Sequence, residues 1–473
     1  MQKLLKLSSK DFLSGISPNM HSEQFSGVFS AAIGVSPHVG LGTTSVNVGL
    51  LQKGPTAANI DAGVIVDNPI AGVVDPTGTP TLYLIGDSGH LYAHTTTSDT
   101  TVTDKRSGTQ ITNPAAGIAL FQPNGGTKYL YYWQTTQIGR WDLSGSHPTG
   151  WTDNQYTGLQ STTIHPTHTF NGAVWYGNKD RIGKLSDDGA AGVTHSTNVL
   201  DFPSEYTVTT ISDDGNYLVV GITKNTITGN TAINDNKIIY WDGFSPSWNR
   251  EYPVQDVSID SIRNIGGVQH ILCGTGLFVS TYSTPPKKLF NLDSVFRPNL
   301  SGGATYSHYQ ASVFNDALVW CGNSQLNMYG SPVPGLRKSL TTPIAASANT
   351  VIPSTYTKLI IGGKYANLGN AGTGSVSAKT VYFEFPVEVC LERIDVNFGE
   401  PLVSGDAMDI DILTDEDTSA TDWGSASFAT HGAIRTRRMS GSKYLTQVKL
   451  VINLTAGNPK IKSITLYGTP TNQ

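Results

Sequence analysis

The chain has 473 residues, 38% of them hydrophobic and only 14% charged, and a formal net charge of −5. That length predicts more than one domain, and the small negative charge excludes a phosphate-gripping field over the whole chain. The three cysteines, Cys273, Cys321 and Cys390, are odd in number and lack metal-ligand spacing, which excludes a disulfide framework and a zinc site.

The deficit of charged and apolar residues is filled by Gly, Thr, Ser and Asn. Disordered chains share that bias but carry high net charge and few aromatics. Here aromatics reach 9% and fall in regularly spaced clusters, so many short strands joined by turns are expected. The opening Met1-Gln2-Lys3-Leu4-Leu5-Lys6-Leu7 lacks an apolar core long enough for a signal peptide, and no stretch reaches the length of a membrane span. Synthesis in a cytoplasm without export by the usual route is the expectation.

Residues 1–55 carry no repeat. Phe25, Val28, Phe29 and Ile33 are scattered apolar anchors among Gly, Ser, Pro and His. They predict an extended N-terminal arm lying on a neighbour or on the propeller itself, with a flexible tail as the alternative.

From residue 56 a short apolar run ending in Gly recurs. It reads Tyr83-Leu84-Ile85-Gly86, Val174-Trp175-Tyr176-Gly177, Leu218-Val219-Val220-Gly221, Ile271-Leu272-Cys273-Gly274, Val319-Trp320-Cys321-Gly322 and Leu359-Ile360-Ile361-Gly362. Tyr131-Tyr132-Trp133-Gln134 fits all but the Gly. The terminal positions 86, 134, 177, 221, 274, 322 and 362 lie 40 to 53 residues apart, the span of a four-stranded propeller blade. Turn residues precede the runs, including Asn124-Gly125-Gly126, Asn171-Gly172, Gly266-Gly267 and Asn315-Asp316. A second apolar segment follows each, such as Ile138-Gly139-Arg140-Trp141 and Ile182-Gly183-Lys184-Leu185. The prediction is a β-propeller of about seven blades over 56–378, with a strand from the N-terminal stretch available to close the ring. The 53-residue interval holds an enlarged loop near Trp248-Asn249-Arg250, and the polar tract Thr223–Asn236 predicts a protruding hairpin in the same blade. An irregular sandwich with coincident spacing is the competing architecture.

Near Ala366–Ala378 the sequence turns Gly-, Asn- and Ser-rich, and beyond it the pattern changes. Leu391–Phe398, Met408–Ile412, Val448–Ile452 and Ile461–Leu466 alternate apolar and polar, which predicts sheets with one buried face. A C-terminal β-sandwich over 379–473 is expected, so the fold class is all-β.

The usual catalytic signatures are missing: no Walker loop, no nucleophile elbow, no zincin pair. The expected innermost strands are Ile164–Phe170, Tyr206–Ser212, Ser258–Asn264 and Tyr306–Phe314, with His165, His168, Asp260, Arg263 and His308 as polar candidates. Period-two alternation places His165 opposite His168 and Asp260 opposite Arg263, so a solvated polar channel is expected rather than a catalytic or metal centre, and no cofactor is assigned. Ser212-Asp213-Asp214-Gly215-Asn216 resembles a sialidase Asp-box turn but reads as a hairpin turn, and Arg140 and Arg181 fall on later strands. Asp409, Asp411, Asp415 and Asp417 form an acidic run, read as a solvent-facing turn with calcium ligation through oxygen as the alternative. The basic stretch Arg435, Arg437, Arg438 and Lys443 reads as a solvated strand edge rather than a DNA contact.

Several of these segments together resemble a known family. Leu391–Gly399, Ser404-Gly405-Asp406, Thr414-Asp415-Glu416-Asp417, Arg435–Arg438 and Ile461–Gly468 resemble the last domain of tailed-phage virion proteins. Phe25-Ser26-Gly27 and Leu50–Pro55 are similar to the opening of phage tail-associated proteins. A propeller followed by a small β-domain is similar in layout to the tail-nozzle or DNA-stabilisation proteins of short-tailed phages. The resemblance implies a non-enzymatic, multicopy tail component in a homo-oligomeric ring, assembled in the host cytoplasm among other tail proteins, with no active residues to carry over. The shortage of charge departs from the lining of a DNA channel. The competing class is a glycan-binding or glycan-cleaving propeller, with Trp151, Tyr156, Trp241 and Trp248 available to stack on a host-surface sugar.

Overall fold

The computed structural model describes residues 5–10, 29–33, 35–39, 47–53 and 57–59, then 67–471 except 96–101, 107, 229–230, 293–310, 323–324, 331–332, 339–349, 355–357, 362–363, 368–375, 381–382, 415–420, 428–433 and 439–443. Every helix or strand assigned among them is a β-strand. No described helix is long and apolar enough to cross a membrane.

Seven four-stranded antiparallel sheets make a seven-bladed propeller. Blade 1 spans 69–104, blade 2 114–157, blade 3 167–201, blade 4 207–254, blade 5 259–291 and blade 6 312–338. Blade 7 takes three strands from 351–367 and its outer strand, Ala57–Asn59, from the other end of the propeller sequence, with Ala57 opposite Ala366 and Asn59 opposite Lys364. Closing the ring with that strand leaves no incomplete terminal blade with an open edge.

Each apolar run is the second strand of its blade. Local chemistry explains the hairpins. Phe170 pairs with Ala173, Ile265 with Val268 and Phe314 with Ala317, leaving two-residue turns of Asn171-Gly172, Gly266-Gly267 and Asn315-Asp316. All six turn residues have positive φ, between 48° and 83°, the twist that a tight hairpin requires. The expected protruding hairpin is present: Leu218–Thr228 and Thr231–Trp241 stay paired as far as Thr228 and Thr231. Two of the glycines that end these runs have a packing reason in the next blade. A Cβ at Gly177 would come within 2.8 Å of Val208, and one at Gly221 within 2.9 Å of Ile259, residues of the next blade's inner strand.

The core divides as the blades do. Apolar clusters fill all seven junctions, from blades 1–2 (Ile85, Ile118, Tyr132, Trp141) round to blades 7–1 (Leu84, Tyr92, Ile352, Ile360). Trp133, Trp141, Trp241 and Trp320 are fully buried in them. Each such side chain stabilises the ring by roughly 1.5–3 kcal/mol or more.

After the propeller, Phe383–Phe398 changes partner midway. Its first half pairs with Tyr444–Ala456 and its second with Ile434–Arg438, while Ile461–Pro470 follows its other edge. The change folds one eleven-stranded network into a β-sandwich. Leu391, Ile394, Val396 and Phe398 meet Met408, Ile410, Ile412, Ile452 and Ile464 inside it, as the alternation predicts. The same cluster includes Leu272, Leu277, Leu318 and Trp320, so the sandwich core is continuous with the junction of blades 5 and 6.

Within residues 1–55, expected as an extended arm, the described strands join the C-terminal sheet. Leu5–Lys10 pairs with Ile461–Pro470, Phe29–Ile33 pairs with Val376–Thr380, and the hairpin of Val35–Val39 with Asn47–Lys53 joins at Leu51 and Ile461. The sandwich therefore draws on both chain ends and begins at Val376. The physical reason is again edge coverage: without these strands the backbone of Ile461–Pro470 would stand unpaired along one side.

Candidate functional site

The inner strands of successive blades touch in an unbroken circle and enclose a cavity of about 470 Å3 to which all seven contribute. Its wall mixes apolar residues (Val73, Ile118, Ile211, Ile352) with hydroxyls and three ionisable side chains, His168, Asp260 and Arg263.

Inner strands of different blades share no sheet, yet side chains lace them together. Thr209 Oγ1 donates to the Ile259 carbonyl at 2.6 Å, Ser261 Oγ to Ala311 at 3.5 Å, Ser312 Oγ to Val351 at 2.5 Å and Thr350 Oγ1 to Ile70 at 3.5 Å. Four consecutive junctions, from blades 4–5 to 7–1, are thus spanned in one direction. Thr167 Oγ1 reaches back from blade 3 to the Ile118 carbonyl of blade 2 at 2.9 Å. His168 and Asp213 join blades 3 and 4, and Lys128 and Asp75 join blades 1 and 2 at 2.9 Å. Sequence reasoning missed this belt; its signal is a Ser or Thr just before the inner strand or within its first three residues.

His165 and His168 part company as expected. His165 is fully buried, 2.7 Å from the Gly177 carbonyl through Nδ1, and burial holds its imidazole below the ordinary value. His168 lines the cavity and places Nε2 2.6 Å from Asp213 Oδ2.

Asp260 and Arg263 do not part, which corrects the alternation. A β-bulge between Ile259 and Ser261 inserts Asp260 as an extra residue, and both side chains line the cavity. The same one-residue shift recurs at the start of the inner strand in blades 1 and 4, and blade 2 has a wider shift there. Burial pushes the Asp260 carboxyl up to about 7, with nearby Asp256 adding to the shift and the Ser258 hydroxyl, 2.8 Å away, opposing it. Burial also lowers Arg263 to about 10. Arg263 Nη1 donates to the Ile262 carbonyl at 2.7 Å, and no described carboxylate forms an ion pair with it. His308 lies outside the described residues.

The other singled-out residues have packing roles. Asp213 and Asp214 accept backbone N–H groups of Gly215 and of Asn216 and Tyr217, making a hairpin turn. Arg140 lies over the Tyr129 ring at 4.2 Å and Arg181 pairs with Asp201 at 3.1 Å. Trp241 is blade core, Trp151 stacks on Trp141 at 4.8 Å, Tyr156 stacks on His195 at 4.3 Å and Trp248 packs on Phe202. Asp409 and Asp411 share a strand face, and Asp411 accepts from Asn453 at 3.0 Å. Asp415 and Asp417 lie outside the described residues, as does Lys443. No three His, Cys, Asp or Glu side chains among the described residues converge as metal ligands.

No protein-family model matches this chain, and no curated protein does. Among solved structures, one described as "Structure of Dos1 propeller" is similar, with a TM-score of 0.41 and 13% identity over 68% of this chain and 96% of that one.

Proposed function

We propose that the chain is a structural, tail-associated component of a tailed-phage virion, present in several copies and acting as a spacer or tip part. The observation that carries this reading is a self-closed propeller whose core runs into a sandwich built from both chain ends. Such a body is stiff, because every blade junction is packed and laced. It resists uncontrolled edge-to-edge assembly, because strands from the chain's own ends cover its sheets. Contacts with neighbours then fall on loops and side-chain surfaces. Phe244 suits one of them: it is 79% exposed on a loop fixed by Asp242, which accepts from the Phe244 and Ser245 backbone N–H groups and from the Ser245 hydroxyl.

The competing glycan reading has less support, since Trp241 is buried and Trp151, Tyr156 and Trp248 are partly covered by neighbouring rings. Mass spectrometry of purified particles carrying the gene tests the proposal. Stoichiometric recovery of the chain with tail proteins is expected. Its absence from intact particles overturns the reading.

A further inference from the structure

Arg263 differs from four other propeller arginines whose side chains are described. Arg106 is bound by Asp153, Arg181 by Asp201, Arg250 by the Tyr252 hydroxyl and Tyr282 carbonyl, and Arg140 covers an aromatic ring. Arg263 offers five N–H donors and gives one hydrogen bond to its neighbour's carbonyl. Arg263 is one of the residues that line the channel cavity.

No described residue of the cavity wall forms an ion pair with it. Asp260 makes none, and burial raises that carboxyl to about 7, so that it is mostly neutral below that pH. The charge of His168, when protonated, is answered by Asp213. Arg263 is partly exposed in the channel, and an anion there is attracted more strongly than in bulk water. A single planar guanidinium matches one carboxylate through two parallel hydrogen bonds. A phosphate dianion asks for a second cation, and among the described residues no lysine or other arginine lines the cavity. The volume of about 470 Å3 falls within the range of small-ligand sites. The exposed Thr169 hydroxyl and the Asp260 carboxyl supply polar contacts beside the methyl groups of Val73, Ile211 and Ile352.

We propose that the propeller channel binds a small polyhydroxylated monocarboxylate of sugar-acid size, its carboxylate held by the guanidinium fork of Arg263. This site stands independently of the virion reading.

Calorimetric titration of the full chain at pH 7 with D-glucuronate, its neutral amide D-glucuronamide, D-glucose and sulfate tests it. Saturable one-to-one binding of glucuronate is expected, with the amide and glucose weaker by about tenfold or more, the loss of one charge-assisted pair. Arg263→Gln should bring glucuronate down to the level of the amide, and Arg263→Lys should fall between, with near-ultraviolet circular dichroism confirming the fold. The amide comparison carries the test by itself if the variants misfold. Glucuronate binding no better than its amide overturns the proposal. So does sulfate binding as tightly as glucuronate, which marks an unspecific anion hole. A folded Arg263→Gln protein that binds glucuronate unchanged also overturns it.

Discussion

His168 Nε2 meets Asp213 Oδ2 at 2.6 Å across the junction of blades 3 and 4, while the Asp213 carbonyl accepts a 2.9 Å hydrogen bond from Gln269 of blade 5. One residue at the end of an inner strand thus ties three blades together. The hydrogen bond from His168 leads in holding the Asp213 carboxyl below its usual range. A depressed carboxyl contributes stability above its unfolded value of about 4 and loses it as pH falls through the folded value. Both side chains are 29% exposed, so His168→Ala should cost only about 0.5–1 kcal/mol at pH 6. The difference should shrink below pH 4. Urea melts of both proteins at pH 6 and pH 3 measure it, and a pH-independent difference would refute the electrostatic origin.

Asp260 predicts the opposite slope. Its folded value near 7 exceeds the unfolded value of about 4, so the folded chain retains a proton that the unfolded chain releases. This group's contribution is largest below about pH 4, declines as pH rises to about 7 and is flat above. Asp260→Asn removes the decline. The variant should match the parent at pH 4 and exceed it at pH 8 by on the order of 2–4 kcal/mol. A variant less stable at pH 8 would show that the carboxylate is compensated in the ring.

The hydroxyl belt makes a chemical prediction. Thr209 is 4% exposed and its hydroxyl serves the Ile259 carbonyl. Thr209→Val keeps the shape and strands that carbonyl, costing about 1–2 kcal/mol, whereas Thr209→Ser should recover most of the loss. Denaturant midpoints of the three proteins decide it; equal effects of Val and Ser would assign the loss to packing.

Gly139 and Gly183 explain a motif that the sequence shows without its reason. They sit on the third strands of blades 2 and 3, directly opposite Tyr132 and Tyr176. An added Cβ would fall within the phenol rings of those tyrosines. The ring of each Tyr covers the Gly while its hydroxyl reaches the outer strand, at Asp153 in blade 2 and at His195 in blade 3. Gly183→Ala should destabilise by about 1–3 kcal/mol through overpacking. Gly189→Ala serves as a control for added methyl groups, because the space around Gly189 is open and only its positive φ of 78° is strained. A smaller loss at Gly183 than at Gly189 would remove the packing account.

Residues 1–53 should be required for a monodisperse protein. Their strands pair along Ile461–Pro470 and Val376–Thr380, and deleting them exposes those edges. Size-exclusion chromatography should show the truncated chain self-associating while the full chain does not. A monomeric truncated chain with an unchanged melting profile would mean that these pairings contribute nothing.

The blades were legible because their signals are local. Asn171-Gly172 or Gly266-Gly267 dictates a hairpin within a few residues, and an apolar run beside it must be a strand buried on both faces. The repeat period then follows from counting. The channel was half legible: His168, Asp260 and Arg263 were placed on inner strands, but strict alternation put the last two on opposite sides. The bulge at Asp260 breaks that alternation, and no residue type announces it.

By itself the sequence determined the all-β class, the seven blades and the alternating C-terminal strands, because turn preference and two-residue periodicity act over short stretches of chain. Only the tertiary structure decided that Ala57–Asn59 closes blade 7, that the first described strands complete the last sheet, and that one arginine lines the channel with no described carboxylate paired to it. Those outcomes depend on backbone edges and charges brought together from distant positions, where pairing is selected by which donors and acceptors remain unsatisfied once the local elements have formed.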